Sequence, residues 1–351
     1  MELTVHTFQS YKIIIERGCI AQTGARAAEL FQPGAKALIV SDTNVMPIYG
    51  TQIAKFLSDS GFSCFQFAFR AGETSKRLST IEQIYGVLAE NRFTRSDFIV
   101  ALGGGVTGDM AGFAAATFLR GIRFMQIPTT LLAQIDSSVG GKTGVDLPQG
   151  KNLVGAFHQP ALVLIDPNTL DTLPSRYFSD GMGEAIKYGC IRSRALFDLI
   201  QNTDIHKNIE EMIFQCADIK RGIVERDEFD TGERMLLNFG HTFGHALEKL
   251  YHFEKLSHGE AVGIGMAMMA EYGEAAGDTK PGTAKEITSA LKKFDLPVRD
   301  AMSMEKILEA TTLDKKSSGG KISLILLKEI GESFVQQLTR SELAEFCGVR
   351  Q

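Results

Sequence analysis

Apolar positions fall into two textures along the 351 residues. Up to residue 174 they gather in short β-rich runs, at 36–40, 64–69, 98–102, 123–127 and 162–165, separated by helix-like stretches such as 75–90 and 107–118. Short apolar runs alternating with longer helical segments predict βαβ units and a mostly parallel sheet. Residues 4–6 and 11–15, around Phe8-Gln9-Ser10, predict a hairpin at its edge. Beyond Pro174 apolar residues recur at spacings of three and four, as in Leu196, Leu199 and Ile200 or Met212, Ile213 and Cys216. No proline falls between Tyr177 and Glu271. That is helical periodicity repeated over several elements. One late run, 322–327, reads as a strand before a turn at Gly331. The pattern predicts an α/β N-terminal domain over 1–174 and a mainly α-helical C-terminal domain over 175–351.

Composition narrows the class. Lys and Arg number 37 against 42 Asp and Glu, a net charge of −5. A protein that reads nucleic acid through phosphates wants a basic stripe, so no nucleic-acid partner is expected. With 44% hydrophobic and 23% charged residues the chain suits a folded core rather than disorder. The five cysteines are odd in number, scattered and never in a C-x-x-C pair, which predicts a reducing compartment and no disulfide framework. The first fifteen residues lack a basic stretch followed by a long apolar core, and the longest apolar run, 262–270, contains two glycines and ends at Glu271. Neither feature predicts a leader or a membrane span, so a cytoplasmic protein is expected.

Glycine brings in the first candidate chemistry. The run 98–102 leads directly into Gly103-Gly104-Gly105-Val106-Thr107-Gly108-Asp109, where Gly103, Gly105 and Gly108 satisfy G-x-G-x-x-G between a strand and a helix. Such glycines let backbone N–H groups and a helix N-terminus approach a pyrophosphate. The bland reading is a tight strand-to-helix turn. A standard dinucleotide fold would place the loop after its first strand and an acid about 20 residues later. Here the loop follows what reads as the fourth long strand, and candidate ribose acids lie upstream at Asp42 and Glu73. Loops after three parallel strands then carry Asp, Asn, Glu, Lys and glycine, which favours a nucleotide or phosphate site.

Histidine brings in the second. Four of the seven histidines, His241, His245, His252 and His258, fall within 18 residues. His241 and His245 are four apart, on one face of a helix. Glu184 and Lys187 stand three apart upstream on a predicted helix. Two histidines and a carboxylate around an open position describe a catalytic zinc site. The spacing leaves open which two histidines ligate. The absence of H-E-x-x-H disfavours a peptidase. Arg120, Lys142, Lys151, Lys187, Lys220, Arg234, Lys315 and Lys316 are interleaved with these motifs. In an acidic chain their placement suits a small substrate bearing carboxylate and phosphate, although any one alone is more often a solvated residue.

With these segments in view the chain resembles the 3-dehydroquinate synthase family of sugar phosphate cyclases over nearly its whole length. The resemblance rests on residues 103–109, Arg120-Gly121, 128–133, 136–143 and 150–157, then Glu184-Ala185-Ile186-Lys187, residues 237–248, His258-Gly259-Glu260 and Asp314-Lys315-Lys316. It implies a Rossmann-like parallel sheet followed by a helical domain, a lyase of the shikimate pathway, and 3-deoxy-D-arabino-heptulosonate 7-phosphate as substrate. The implied chemistry oxidises the C5 hydroxyl with NAD, eliminates phosphate, re-reduces C5 and closes the carbocycle by an aldol step. NAD is thereby regenerated in each turnover, and a divalent zinc or cobalt ion polarises the C5 oxygen.

Matched residue by residue, the resemblance implies Glu184, His241 and His258 as metal ligands and His245 as a substrate or proton-handling residue. Asp136, Lys142, Asn152, Lys187, Lys220, Arg234, Asn238 and one of Lys315 or Lys316 (Lys316 is taken here) become substrate contacts. Asp42, Asn44, Glu73, Lys76, Gly104, Gly105, Asp109, Thr129, Thr130, Lys142, Lys151, Thr172 and Leu173 become NAD-site residues. Arg120 is implied to reach the neighbouring subunit's site in a homodimer. Two positions depart from the family: Tyr177 replaces the usual Glu or Gln, and Gly183 the usual Ala, a change expected to loosen a helix by about 1 kcal/mol at most. The rival readings are another sugar phosphate cyclase and a metal-dependent polyol dehydrogenase.

Overall fold

In the computed structural model, which describes residues 1–311 and 321–349, the early apolar runs become strands β1 (Glu2–Val5), β2 (Tyr11–Ile15), β3 (Lys36–Asp42), β4 (Ser63–Phe69), β5 (Phe98–Gly103) and β6 (Arg123–Pro128). A hairpin of β7 (Lys142–Leu147) and β8 (Gly150–Phe157) follows, then β9 (Leu162–Ile165). Seven of these nine strands form one sheet in the order β1-β2-β9-β6-β5-β3-β4. Every neighbouring pair is parallel except β1 with β2, the edge hairpin.

Helices α1 (Thr23–Ala28), α2 (Thr51–Asp59), α3 (Leu78–Glu90) and α4 (Gly105–Thr117) connect the strands. Successive strand residues serve opposite layers. Ala37, Ile39, Phe98, Val100 and Leu102 pack in one core with Ile53 and Leu57 of α2. Leu38, Val40, Ile99 and Ala101 pack in another with Ile81, Ile84 and Met110 of α3 and α4. Both faces of the sheet are buried, which is why β3 and β5 read as unbroken apolar runs. Helix α4 starts at Gly105, two residues earlier than its periodicity suggests, because the glycine loop itself supplies its first turn. The β7–β8 hairpin lies outside the sequence expectation. Its glycines pack backbone against backbone, Gly144 against Gly155, and so erase the apolar alternation that marks a strand.

The second texture becomes α5 (Ser175–Arg192), α6 (Arg194–Asn202), α7 (Ile209–Arg226), α8 (His241–Leu250), α9 (His258–Ala276), α10 (Thr283–Lys293) and α11 (Met304–Thr311). The late run extends into a two-stranded hairpin, β10 (Lys321–Glu329) with β11 (Glu332–Thr339), followed by α12 (Arg340–Phe346). Helix α9 is glycine- and alanine-rich and mostly buried, as a helix apolar on all sides must be. No helix among the described residues is long and apolar enough to cross a membrane.

The contacts divide the chain into two compact units, Met1–Pro174 with Lys220–Phe229, and Ser175–Ile219 with Asp230–Gln351. The segment Lys220–Phe229 packs with the first unit, although a single cut after Pro174 assigns it to the second. Specific bonds hold it there. Glu225 accepts from the His6 N–H at 2.7 Å, Glu228 accepts from the Phe8 N–H at 3.0 Å, and the Phe229 ring meets Phe157 edge-on at 5.3 Å.

Candidate functional site

The candidate metal centre belongs to the second unit, where three helices touch through glycine. At the α5–α9 crossing a Cβ on Gly183 would lie 3.0 Å from the Gly259 carbonyl oxygen, and one on Gly259 would overlap the Asp180 carbonyl. Helices α8 and α9 cross the same way, with Gly244 against the Ala261 backbone and Gly265 against the Gly240 carbonyl. Gly183 therefore serves helix contact, a role that its low helix propensity does not reveal. Each candidate ligand adjoins one of these glycines: Glu184 follows Gly183, His241 follows Gly240, and His258 precedes Gly259. Their donor atoms lie within 4.8 Å of one another.

Glu184 Oε1 is 3.3 Å from Nε2 of both His241 and His258, and Oε2 pairs with Lys187 Nζ. The carboxylate is fully buried, and among the described residues its oxygens accept no hydrogen bond of good geometry. Burial alone would raise its pKa, but the Lys187 charge and His241 hold it well below the usual carboxylate range. Burial and the same lysine hold His241 below an ordinary histidine, so its ring is neutral at pH 7. Its Nδ1–H donates to the Phe239 carbonyl at 3.1 Å, which leaves the Nε2 lone pair for a ligand role. His258 is the opposite case. Burial lowers its pKa, yet Glu184 and Glu248 outweigh that and raise it to about 10. Two imidazole nitrogens and a buried, under-bonded carboxylate fit a divalent ion with an open position, zinc or cobalt alike.

The remaining histidines separate. His245 is exposed, with its ring 5.2 Å from His241 and 6.0 Å from His258. His252 sits exposed in the α8–α9 turn, away from the helix faces that carry the other three. Glu260, three residues after Ser257, is a capping residue: it accepts from the Ser257 N–H at 2.7 Å while Ser257 Oγ accepts from its own N–H. Arg234 is buried in the turn Glu233–Asn238, which Asn238 closes. Lys315 and Lys316 lie outside the described residues.

The candidate cofactor residues belong to the first unit and sit on loops at the C-terminal ends of parallel strands. After β5, a Cβ on Gly104 would crowd Thr130, and one on Gly108 would lie 2.7 Å from Gln126 of β6. The loop is thus tight at its turn and against the sheet, as a pyrophosphate-binding loop must be. The Thr107 and Thr129 hydroxyls are buried beside Gly103, and among the described residues neither has a hydrogen-bond partner. That environment fits a polar ligand at the N-terminus of α4. Thr107 carries no role in the sequence reading, since a hydroxyl inside an apolar helix gives no pattern.

Several charged residues here hold one another. Lys76 is buried, pairs with Asp109 at 2.6 Å and donates to Asn152 Oδ1 at 2.6 Å. Burial works against the Lys76 charge, but Asp109 and Glu73 raise its pKa nonetheless. Asn152 itself adopts φ 55°, in the left-handed region, at the start of β8. Lys151 lies 3.9 Å from Glu73. Asp42 accepts from the Asn44 and Val45 N–H groups and shapes its own loop, and Thr172 Oγ1 meets the Tyr49 hydroxyl at 2.7 Å. Leu173 ends the turn that carries Thr172. Lys220 Nζ donates to both the carbonyl and the carboxylate of Asp136 at 2.6 Å. Lys142 is exposed at the start of β7. Arg120 is exposed after α4 and, like Leu119 before it, has positive φ.

Comparison with known proteins gives a consistent family. A model described as 3-dehydroquinate synthase N-terminal matches residues 66–180, and one described as 3-dehydroquinate synthase C-terminal matches residues 181–317. The chain is 49% identical over 345 residues to the 3-dehydroquinate synthase of Clostridium acetobutylicum, covering 97% of each chain. Among solved structures it is similar to the 2-epi-5-epi-valiolone synthase of Streptomyces hygroscopicus subsp. jinggangensis with NAD+ and Zn2+ bound. That match has a TM-score of 0.86 at 26% identity and covers 98% of this chain and 97% of that one. It is also similar to a 2-deoxy-scyllo-inosose synthase complexed with carbaglucose-6-phosphate, NAD+ and Co2+, with a TM-score of 0.86, 23% identity and 99% coverage of both chains. At that identity the second likeness shows the fold alone.

Proposed function

The chain belongs to the 3-dehydroquinate synthase family, and from that premise we propose that it converts 3-deoxy-D-arabino-heptulosonate 7-phosphate to 3-dehydroquinate and phosphate, as a lyase of the shikimate pathway. The observation that carries the proposal is the 49% identity over 97% of the chain. The cyclases with other names are 26% identical or less, which places them as the second reading. The buried Glu184 with its two flanking imidazoles supports a divalent ion, and the glycine loop with its two orphaned hydroxyls supports NAD.

When bound, NAD would supply a reversible hydride acceptor for the substrate's C5, and a divalent ion would supply Lewis acidity toward the C5 oxygen. The chain's own residues bind, orient and move protons. Glu184, His241 and His258 hold the ion. Lys187, 2% exposed, is fixed by its pair with Glu184, which turns a flexible ammonium into a positioned charge for a substrate oxygen. Asp136, Lys142, Asn152, Lys220, Arg234 and Asn238 recognise the substrate's carboxylate, hydroxyls and phosphate. Exposed His245, beside the ligand histidines, exchanges protons with water and substrate. Asp42, Asn44, Glu73, Lys76, Gly104, Gly105, Asp109, Thr129, Thr130, Lys142, Lys151, Thr172 and Leu173 form the NAD site. None of the five cysteines forms a disulfide, which suits a cytoplasmic enzyme. Phosphate release from the heptulosonate phosphate, measured with and without NAD, tests the activity. Release that stops without NAD, with no accumulation of NADH, is the expected result. Stoichiometric NADH from a simple polyol without phosphate release would favour the dehydrogenase reading instead.

A homodimer with Arg120 donated across the interface completes the proposal. Arg120 is exposed and held in a strained conformation, which suits a residue fixed for contact outside its own helix. Arg120→Ala and Lys142→Ala homodimers should each be nearly inactive. Random subunit exchange between them should restore about a quarter of the parent sites, since half the dimers then carry one intact site. Demonstrated exchange without recovered activity places Arg120 in its own subunit's site.

A further inference from the structure

We infer that Glu248 is a positioning residue of the metal centre, its carboxylate fixing the His258 ring so that Nδ1 is the donor and Nε2 faces the ion. The inference rests on the metal-centre reading above. The backbone of His258 is anchored independently of its ring. Gly259 N–H donates to Asp180 Oδ1, and Ser257 caps the helix with Glu260. These bonds set where the side chain begins and leave its ring torsion free. Two contacts then decide that torsion: Nε2 lies 3.3 Å from Glu184 Oε1, and Nδ1 lies 3.4 Å from Glu248 Oε1.

Glu248 is suited to the task. It is 4% exposed, on the face of α8 that also carries His241 and His245. The two ligand histidines are therefore steadied differently. His241 uses the neutral carbonyl of Phe239, whereas His258 uses a full negative charge. A carboxylate behind an imidazole fixes its tautomer and makes the opposite nitrogen a stronger donor to a cation. Donor atoms of His245, Glu248 and His258 also lie within 4.8 Å of one another, so the same groups offer a competing place for an ion. The inference excludes that arrangement, because it would use Glu248 as a ligand.

The test uses the full chain, stripped of metal and titrated with Zn2+ against a competing chelator. Glu248→Gln keeps the volume and an acceptor oxygen but not the charge, and should weaken Zn2+ binding about tenfold; Glu248→Ala should weaken it about 100-fold. The metal-free Glu248→Gln protein should melt with the parent, which a merely structural residue would not allow alongside the lost affinity. Parent-like Zn2+ affinity in Glu248→Gln overturns the inference. Glu184→Gln is the control for the centre itself: if it also keeps its metal, the centre is misread, whatever Glu248 does. The unsubstituted protein loaded with 113Cd gives a second readout that needs no variant. Coupling of 113Cd to His258 Nε2 is expected, and coupling to His258 Nδ1 or to His245 overturns the assignment.

Discussion

Glycine serves the two candidate centres in opposite ways. In the loop after β5 it removes side chains so that backbone N–H groups at the start of α4 stand open to a ligand. In the helical unit it removes side chains so that backbones touch, and the residues next to each glycine converge. The turn of the first candidate centre therefore relies on backbone dipoles, whose charge does not titrate, beside the mutually paired Lys76 and Asp109. The second is made of buried ionisable groups, whose protonation is set by one another. Recognition in the first should fail when space is filled. Recognition in the second should fail when a charge is removed or a proton competes.

The largest effect should come from removing a ligand. Glu184→Ala deletes a donor and leaves Lys187, 2% exposed, without its carboxylate. Breaking one side of a buried ion pair costs ~3–5 kcal/mol, so this variant should be both metal-free and measurably less stable in denaturant. His241→Ala and His258→Ala should lose the metal, while His245→Ala should retain about one ion per chain and lose activity. Elemental analysis of the purified variants decides this, and metal loss in His245→Ala with retention in His258→Ala reverses the ligand assignment.

Filling the loop comes next. A Cβ at Gly105 would already stand 3.0 Å from Ser137 Oγ, and valine there would displace the first turn of α4. Gly105→Val should therefore raise the NAD dissociation constant strongly in calorimetry, because a side chain there would block the backbone's approach to the pyrophosphate. Its metal content should stay at the parent level. NAD binding equal to the parent's would remove the loop from the cofactor site.

A smaller and graded effect separates the centres by pH. His258 carries a proton up to about pH 10 in the absence of a cation, and a metal must displace it. Below that pKa each unit of acidification should weaken Zn2+ binding about tenfold, because ligand and proton compete for one lone pair. Over pH 6 to 9 NAD affinity should change far less. A flat metal affinity across that range would mean that His258 binds no ion through its titrating nitrogen.

Hydrophobic pattern determined the strand–helix alternation and the edge hairpin, while glycine and histidine spacing marked the loop at the end of β5 and the neighbourhood of the candidate metal centre. These are local properties: strands buried on both faces must be apolar throughout, and a loop that bares its backbone must be glycine. Family resemblance implied which candidate ligands to choose where the histidine spacing left the choice open. Tertiary structure decided the rest. Glu184 and His241 are far apart in the chain, and only the glycine-mediated crossings of α5, α8 and α9 bring their atoms together. Glu248 looks in sequence like one more polar residue on a helix; its role depends on which way the His258 ring turns on a different helix. Lys220 reads as part of a continuous helical pattern, yet its ammonium lies 2.6 Å from Asp136 and its segment packs with the first unit. Periodicity records which face of an element is buried, not what that face is buried against. Ligand geometry is set by the second of these, so it emerges only when the chain is packed.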